Sequence, residues 1–213
     1  DVMDINAAKA ETVSITSGGV GNHTLSDFSA AKVLTISTTK LSTTNDLAAL
    51  KTATLSGDAS TAGVTLGALG GATIAYDVDV TATGLKAGVT LGTVKTAAAT
   101  NIDFSGVTGA NTVGAITTTG AASVTAGAGA AVIGKIDASA VTVDLTAAAA
   151  GTTFNGGTGA VDIVSGSTVN IVSNAISATS VDIDGDKTSL TVTATGSLGG
   201  DTIDVTNAND ADD

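Results

Sequence analysis

The sequence predicts an all-β fold, a β-solenoid of the parallel β-helix or β-roll type with irregular rungs. Three observations predict it. Short runs of alternating apolar and polar residues recur from Leu55 onward, centred on Leu55, Leu66, Val78, Val89, Ile102, Val113, Val124, Ile133, Val143, Phe154, Ile163, Val172, Ile183, Val192 and Ile203. Their mean separation, about 10.6 residues, is that of serial short strands, and two strands per turn would make a rung of roughly 20 residues. The chain also has no Pro, no Trp, one Tyr and three Phe. A wide sandwich core draws on aromatic bulk, whereas a narrow core fills with small branched side chains. Finally, connections such as AGVTLGALGGA are short and small, as stacked turns require. The spacing alone suits β-sandwich domains equally well, and these are the alternative fold.

Residues 1–50 read as a mixed N-terminal segment. DVMDINAAKAE is either a helical lead-in or a frayed terminus. TVSIT (Thr12–Thr16) and KVLTIST (Lys32–Thr38) read as strands. After Thr44, Asn45 or Asp46 is placed to cap a short helical turn through Leu47, Ala48, Ala49 and Leu50. A further strand follows at Thr52–Ser56. Residues 51–206 carry the strand beat and form the expected solenoid. Residues 207–213, NANDADD, are an acidic tail or the start of another repeat.

Phrases recur inside the solenoid. AGVTLGAL and AGVTLGTV repeat Thr65-Leu66-Gly67 as Thr90-Leu91-Gly92, 25 residues on. IDFSGVTG (Ile102–Gly109) and IDASAVTV (Ile136–Val143) share an Ile-Asp-x-Ser-x-Val-Thr frame, 34 residues apart. Because neither interval is a whole number of 20-residue rungs, irregular turns are expected.

Charge and composition exclude several functions. The formal net charge is −12, and all eight basic residues are Lys. Nucleic-acid binding needs clustered Lys and Arg to neutralise phosphates, so it is excluded. No run of 18 apolar residues suggests direct membrane insertion. The absence of Cys removes disulfides and thiol chemistry. Of the 20 acidic residues only Glu11 is Glu, a bias towards the turn-forming carboxylate that suits Ca²⁺ sites. A chain that begins at Asp1 and ends at Asp212-Asp213 reads as a fragment of a longer protein.

The stretch Gly134–Gly166, GKIDASAVTVDLTAAAAGTTFNGGTGAVDIVSG, sets the Gly-rich turn Asn155-Gly156-Gly157-Thr158-Gly159 ahead of an alternating Asp and aliphatic strand. In this it resembles the repeat-toxin (RTX) type of bacterial surface protein, especially S-layer proteins and large adhesins, over most of residues 52–206. The resemblance implies an extracellular, cell-surface protein. Its function would be that of a structural S-layer component, assembling into a lattice bridged by calcium. The alternative is a stalk or binding segment of a large secreted adhesin. The implied partners are like chains or other parts of a longer parent, with a cell-surface polysaccharide as a further candidate.

Candidate Ca²⁺ ligands follow from the same pattern. In GGxGxDxUx, Gly156, Gly157 and Gly159 match, but Val161 stands where Asp belongs and Asp162 comes one place late. One place in a strand moves a side chain to the other face. Asp182 and Asp184 share a strand face, with Asp186 just past Gly185; three carboxylates in five residues repel unless a cation or Lys187 relieves them. Their spacing resembles the start of an EF-hand loop, but no Glu follows at the twelfth position, so that motif is rejected. Gly199-Gly200-Asp201-Thr202-Ile203 reads as a repeat-toxin turn shortened by deletion, with Asp204 the next residue. The metal candidates are therefore Asp162, Asp182, Asp184, Asp186, Asp201 and Asp204.

No catalytic residue is assigned. His23 is the sole histidine, reads as a loop residue, and has no evident triad or metal partners. Polysaccharide lyases on β-helices use Asp clusters, but they commonly add Arg, Lys or His and aromatic sugar platforms, and this chain has no Arg, no Trp and one His. Thr pairs such as Thr81/Thr83 and Thr191/Thr193 align on one strand face, as in ice-binding solenoids and as in ordinary strands.

Overall fold

In the computed structural model the chain is a parallel β-solenoid, with no helix among the described residues. The structure describes residues 3–18, 22–57, 62–145, 147–149, 152–154, 157–165, 169–173, 180–185, 190–194 and 202–207. Beyond Phe154 the description is of strand pairing alone.

Each rung contributes a strand to a first face and one to a second. The first face stacks ten strands, beginning Met3–Asn6, His23–Ser26, Leu41–Thr44, Gly63–Leu66 and Gly88–Leu91, then Asn111–Val113, Ala131–Ile133, Thr152–Phe154, Val169–Ser173 and Leu190–Ala194. The second face stacks Thr12–Ser17, Val33–Thr38, Thr52–Gly57, Val78–Thr83, Thr100–Gly106, Ala121–Thr125, Ile136–Leu145, Gly157–Ser165, Ser180–Gly185 and Thr202–Asn207. A short third face, Leu69–Gly70, Val94–Thr96 and Ile116–Thr118, runs into the first residues of the long strand Ile136–Leu145. All named pairs are parallel, which a meandering sandwich could not give, because parallel strands need a crossover and hairpins do not supply one.

Alternation along each strand becomes a column across rungs. On the second face Val13, Leu34, Ala53, Val80, Ile102, Val124 and Val143 pair in sequence and are all buried; Ile163, Ile183 and Val205 continue the register. On the first face Leu66, Leu91, Val113, Ile133 and Phe154 do the same. The core is thus a narrow prism of branched aliphatics, and the side chains of Phe28, Phe104 and Phe154 are fully buried within it.

Two stacked features explain the repeated phrases. Gly63–Leu66 pairs in register with Gly88–Leu91, so the AGVTLG phrases are neighbouring rungs of the first face. Gly67, Gly92, Gly114 and Gly134 follow those strands at the corner. A Cβ on any of the last three would meet the backbone of the glycine one rung earlier at under 3 Å. The other recurrence has no such meaning. Ile102 pairs with Val124 on the second face, whereas Ile136 pairs with Ile116 on the third, so the two Ile-Asp phrases occupy different corners of the solenoid.

Parallel pairing is continuous across residue 50, from Thr12–Ser17 through Val33–Thr38 to Thr52–Gly57. The capped helical turn expected at Asn45–Leu50 is a single turn, closed by Leu50 N–H donating to the Leu47 carbonyl at 3.1 Å. Asp46 Oδ1 accepts from Ala68 N–H on the next rung at 2.8 Å instead of capping its own turn. Stacking on the neighbouring rung outcompetes a helix too short to nucleate.

The interior carries a few polar side chains. Thr96 and Thr118, paired across two rungs, turn inward at a corner and accept from the backbone N–H of Ala98 and Gly120. Asn111 is different: it is 2 % exposed, and neither its amide nitrogen nor its oxygen has a partner among the described residues. A buried unpaired amide costs about 1–3 kcal/mol. Asn111→Val should therefore stabilise the protein by about 1–2 kcal/mol, raising Tm by roughly 2–6 °C in a thermal melt. An unchanged or lower Tm would show that the amide is satisfied by an interior water.

Candidate functional site

The outward positions of the second face form columns as regular as the inward ones. One column runs Thr52, Asp79, Asn101, Ser123 and Thr142, then Asp162, Asp182 and Asp204, each in register with the next. The neighbouring column, two residues along, runs Thr54, Thr81, Asp103, Thr125, Asp144, Val164, Asp184 and Thr206.

Four of the six metal candidates fall on these columns. Asp162, Asp182 and Asp204 take consecutive places in the first, and Asp184 lies in the second. Asp186 and Asp201 lie outside the described residues. The late position of Asp162 relative to its glycines does not take it out of register: Asp162 pairs with Thr142, and Ile163 with Val143.

The two ends of the first column treat charge differently. Asp79 Oδ1 accepts from Asn101 Nδ2 at 2.7 Å, and the next positions are neutral Ser123 and Thr142. In the second column Asp103 Oδ1 accepts from the N–H of Ser105 at 2.9 Å, and uncharged residues separate its aspartates. Asp162, Asp182 and Asp204 have no neutral spacer, and adjacent strands stand only about 4.8 Å apart. Like charges that close repel by about 1 kcal/mol even in bulk water. Among the described residues no group of three or more His, Cys, Asp or Glu is arranged to hold a metal ion.

His23 is not in a loop. It lies inward on the strand His23–Ser26, in register with Ser42, is 5 % exposed, and its Nε2 stands 2.5 Å from Ser17 Oγ. The sequence hid this because Asn22, His23 and Thr24 look polar enough for a turn.

No family model, no curated protein and no solved structure matches this chain. The site must therefore be read from its own chemistry.

One feature lay beyond the sequence reading. Thr52 pairs with Asp79, 27 residues on, whereas Val33 pairs with Thr52, 19 on, and Asp79 with Asn101, 22 on. The excess length forms an outward excursion over residues 71–77 that ends in Tyr76, the only tyrosine. Tyr76 donates its hydroxyl to the Ala49 carbonyl at 2.6 Å, and Lys51 Nζ sits 4.7 Å from its ring centroid. Lys51, Thr52, Ala75, Tyr76, Asp77 and Asp79 line a shallow, open recess of about 500 Å³. One rung below, Lys32 pairs with Glu11 at 2.8 Å, and that carboxylate holds the ammonium above its ordinary range. The sequence marks Tyr76 only as the sole tyrosine; the long interval it sits in becomes visible once the strands are paired.

Proposed function

We propose that the chain is a structural module of an extracellular bacterial surface protein, an S-layer lattice component whose work is assembly and not catalysis. The observation that carries this reading is the unspaced column Asp162, Asp182 and Asp204 on a stiff parallel stack. Parallel pairing sets these three positions on adjacent strands, and a hard divalent cation relieves the repulsion of stacked aspartates with oxygen ligands of the kind Ca²⁺ takes. Ca²⁺ is the expected ligand, and Asp184 stands in the neighbouring column, two residues along the same strand as Asp182. Bridging between copies, or to other parts of a longer parent, follows if some coordination sites are filled by a neighbour.

The test is a thermal melt in chelator, in millimolar Ca²⁺ and in Mg²⁺ at equal ionic strength, combined with electron microscopy of the calcium sample. A ligand that binds only the folded form raises Tm with its concentration, stabilising the fold by about 2.7 kcal/mol at a hundredfold excess over Kd. Tm should rise in Ca²⁺ more than in Mg²⁺, and ordered two-dimensional arrays should form. Identical melts would remove calcium from the reading. A calcium-stabilised monomer that never forms arrays would favour the adhesin stalk.

A further inference from the structure

We propose that the recess beside Tyr76 binds a neutral glycan, seated between the tyrosine ring and the carboxylates of Asp77 and Asp79. Repeat proteins place insertions on one face, often the one that binds, and residues 71–77 are such an insertion. The ring is held in place at both ends: its hydroxyl is committed to Ala49, and the Tyr76 carbonyl accepts from Thr96 Oγ1 at 2.6 Å. Asp77 Oδ1 accepts from Ala99 N–H at 3.0 Å, and Asp79 Oδ1 from Asn101 Nδ2 at 2.7 Å. Those bonds fix both carboxylates and leave a second oxygen on each for a ligand. Lys51 is exposed and has no carboxylate partner among the described residues, so its ammonium can donate.

A sugar matches this set. Its hydroxyls donate to carboxylate oxygens and accept from an ammonium, both as charge-assisted bonds, while its C–H face lies against an aromatic ring. The recess of about 500 Å³ is within the usual size of small-ligand sites. Two carboxylates against one ammonium leave it negative, in a chain of net charge −12, so acidic sugars are repelled. A peptide strand has no purchase, because the nearby backbone is already paired: Thr52 N–H donates to Lys32 and Asp79 N–H to Lys51. Two carboxylates beside an ammonium also make a poor Ca²⁺ site, which needs six to eight oxygens.

The proposal rests on the surface-module reading only for where such a glycan would be met. The chain has one Tyr and no Trp, so its tyrosine emission, excited beyond the phenylalanine band, reports this recess alone. The intact chain is titrated, under monomeric conditions, with neutral trisaccharides of glucose, galactose and N-acetylglucosamine, and with trigalacturonate as the acidic control. At least one neutral trisaccharide should give a saturable change in tyrosine emission, and trigalacturonate none. Asp79→Asn, which keeps the acceptor for Asn101, and Lys51→Met should each raise the apparent Kd about tenfold without moving Tm. By calorimetry Tyr76→Phe should bind within about threefold of the parent and Tyr76→Leu should not bind, because the ring and not the hydroxyl carries the contact. No saturable response to any neutral trisaccharide overturns the proposal. An equal response to Ca²⁺ alone, or to trialanine, overturns it in favour of a cation or a peptide. Glycan binding without arrays would count against the lattice reading only, and arrays without glycan binding against this site only.

Discussion

Phe104→Ala should cost about 3–5 kcal/mol and lower Tm by roughly 6–20 °C. Phe104 is fully buried, in the strand Thr100–Gly106, and its rung otherwise supplies only the smaller Val89, Leu91, Val94, Ile102 and Val107 to the interior. A prism this narrow has few atoms per rung, so removing a phenyl ring takes a large share of one layer. The layers above and below cannot collapse into the gap, because backbone hydrogen bonds fix the rung spacing near 4.8 Å. Val132→Ala is the matching control. That valine is 45 % exposed on the outside of the first face, and its loss should change stability by under about 0.5 kcal/mol. Melts of the two variants beside the parent decide the matter. A small effect at Phe104 would mean that the interior is looser than its burial implies.

The strands were legible because the prism has a dry inside and a wet outside, and alternation writes that difference into the sequence. Every strand centre expected from Leu55 to Ile203 falls within a strand. Scarce aromatics and absent Pro were legible for the same physical reason, since a narrow stack needs small side chains and unbroken ladders. What escaped was short or irregular. Leu69–Gly70, Val94–Thr96 and Ile116–Thr118 are too brief to show a period, so the third face was invisible. Met3–Asn6, His23–Ser26 and Leu41–Thr44 carry polar residues that read as loop or terminus. The columns escaped because register depends on rung length, and rung length varies. Nothing local to Asp162 says that Thr142 lies on one side of it and Asp182 on the other. Tyr76 became a site only when the 27-residue rung placed Lys51, Asp77 and Asp79 beside it.

Gly88→Ala should be nearly as damaging as loss of the phenyl ring, though it adds only a methyl group. Gly88 has φ +99°, a region that side-chain-bearing residues seldom enter, and a Cβ there would run into the Ala110 carbonyl of the next rung. That carbonyl is already engaged, accepting from Val89 N–H at 3.1 Å, and Gly109 N–H donates to Leu85 at 3.3 Å close by. The corner can neither rotate Gly88 to an ordinary φ nor withdraw Ala110 without breaking the pairing of Gly88–Leu91 with its neighbours. Backbone strain of about 1–3 kcal/mol and the displaced bonds together give an expected loss of about 3 kcal/mol or more, a fall in Tm of roughly 6–12 °C. Gly71→Ala is the control: a Cβ there meets only the Ile74 side chain, at 3.7 Å, and should alter stability by under about 0.5 kcal/mol. Because each rung touches only its neighbours, the damage stays several rungs from Asp162, Asp182 and Asp204. The Tm gain in Ca²⁺ should therefore persist in Gly88→Ala, adding to the lower baseline as effects at distant sites do. A calcium response lost together with the Gly88 corner would place the cation near that corner and away from the aspartate column.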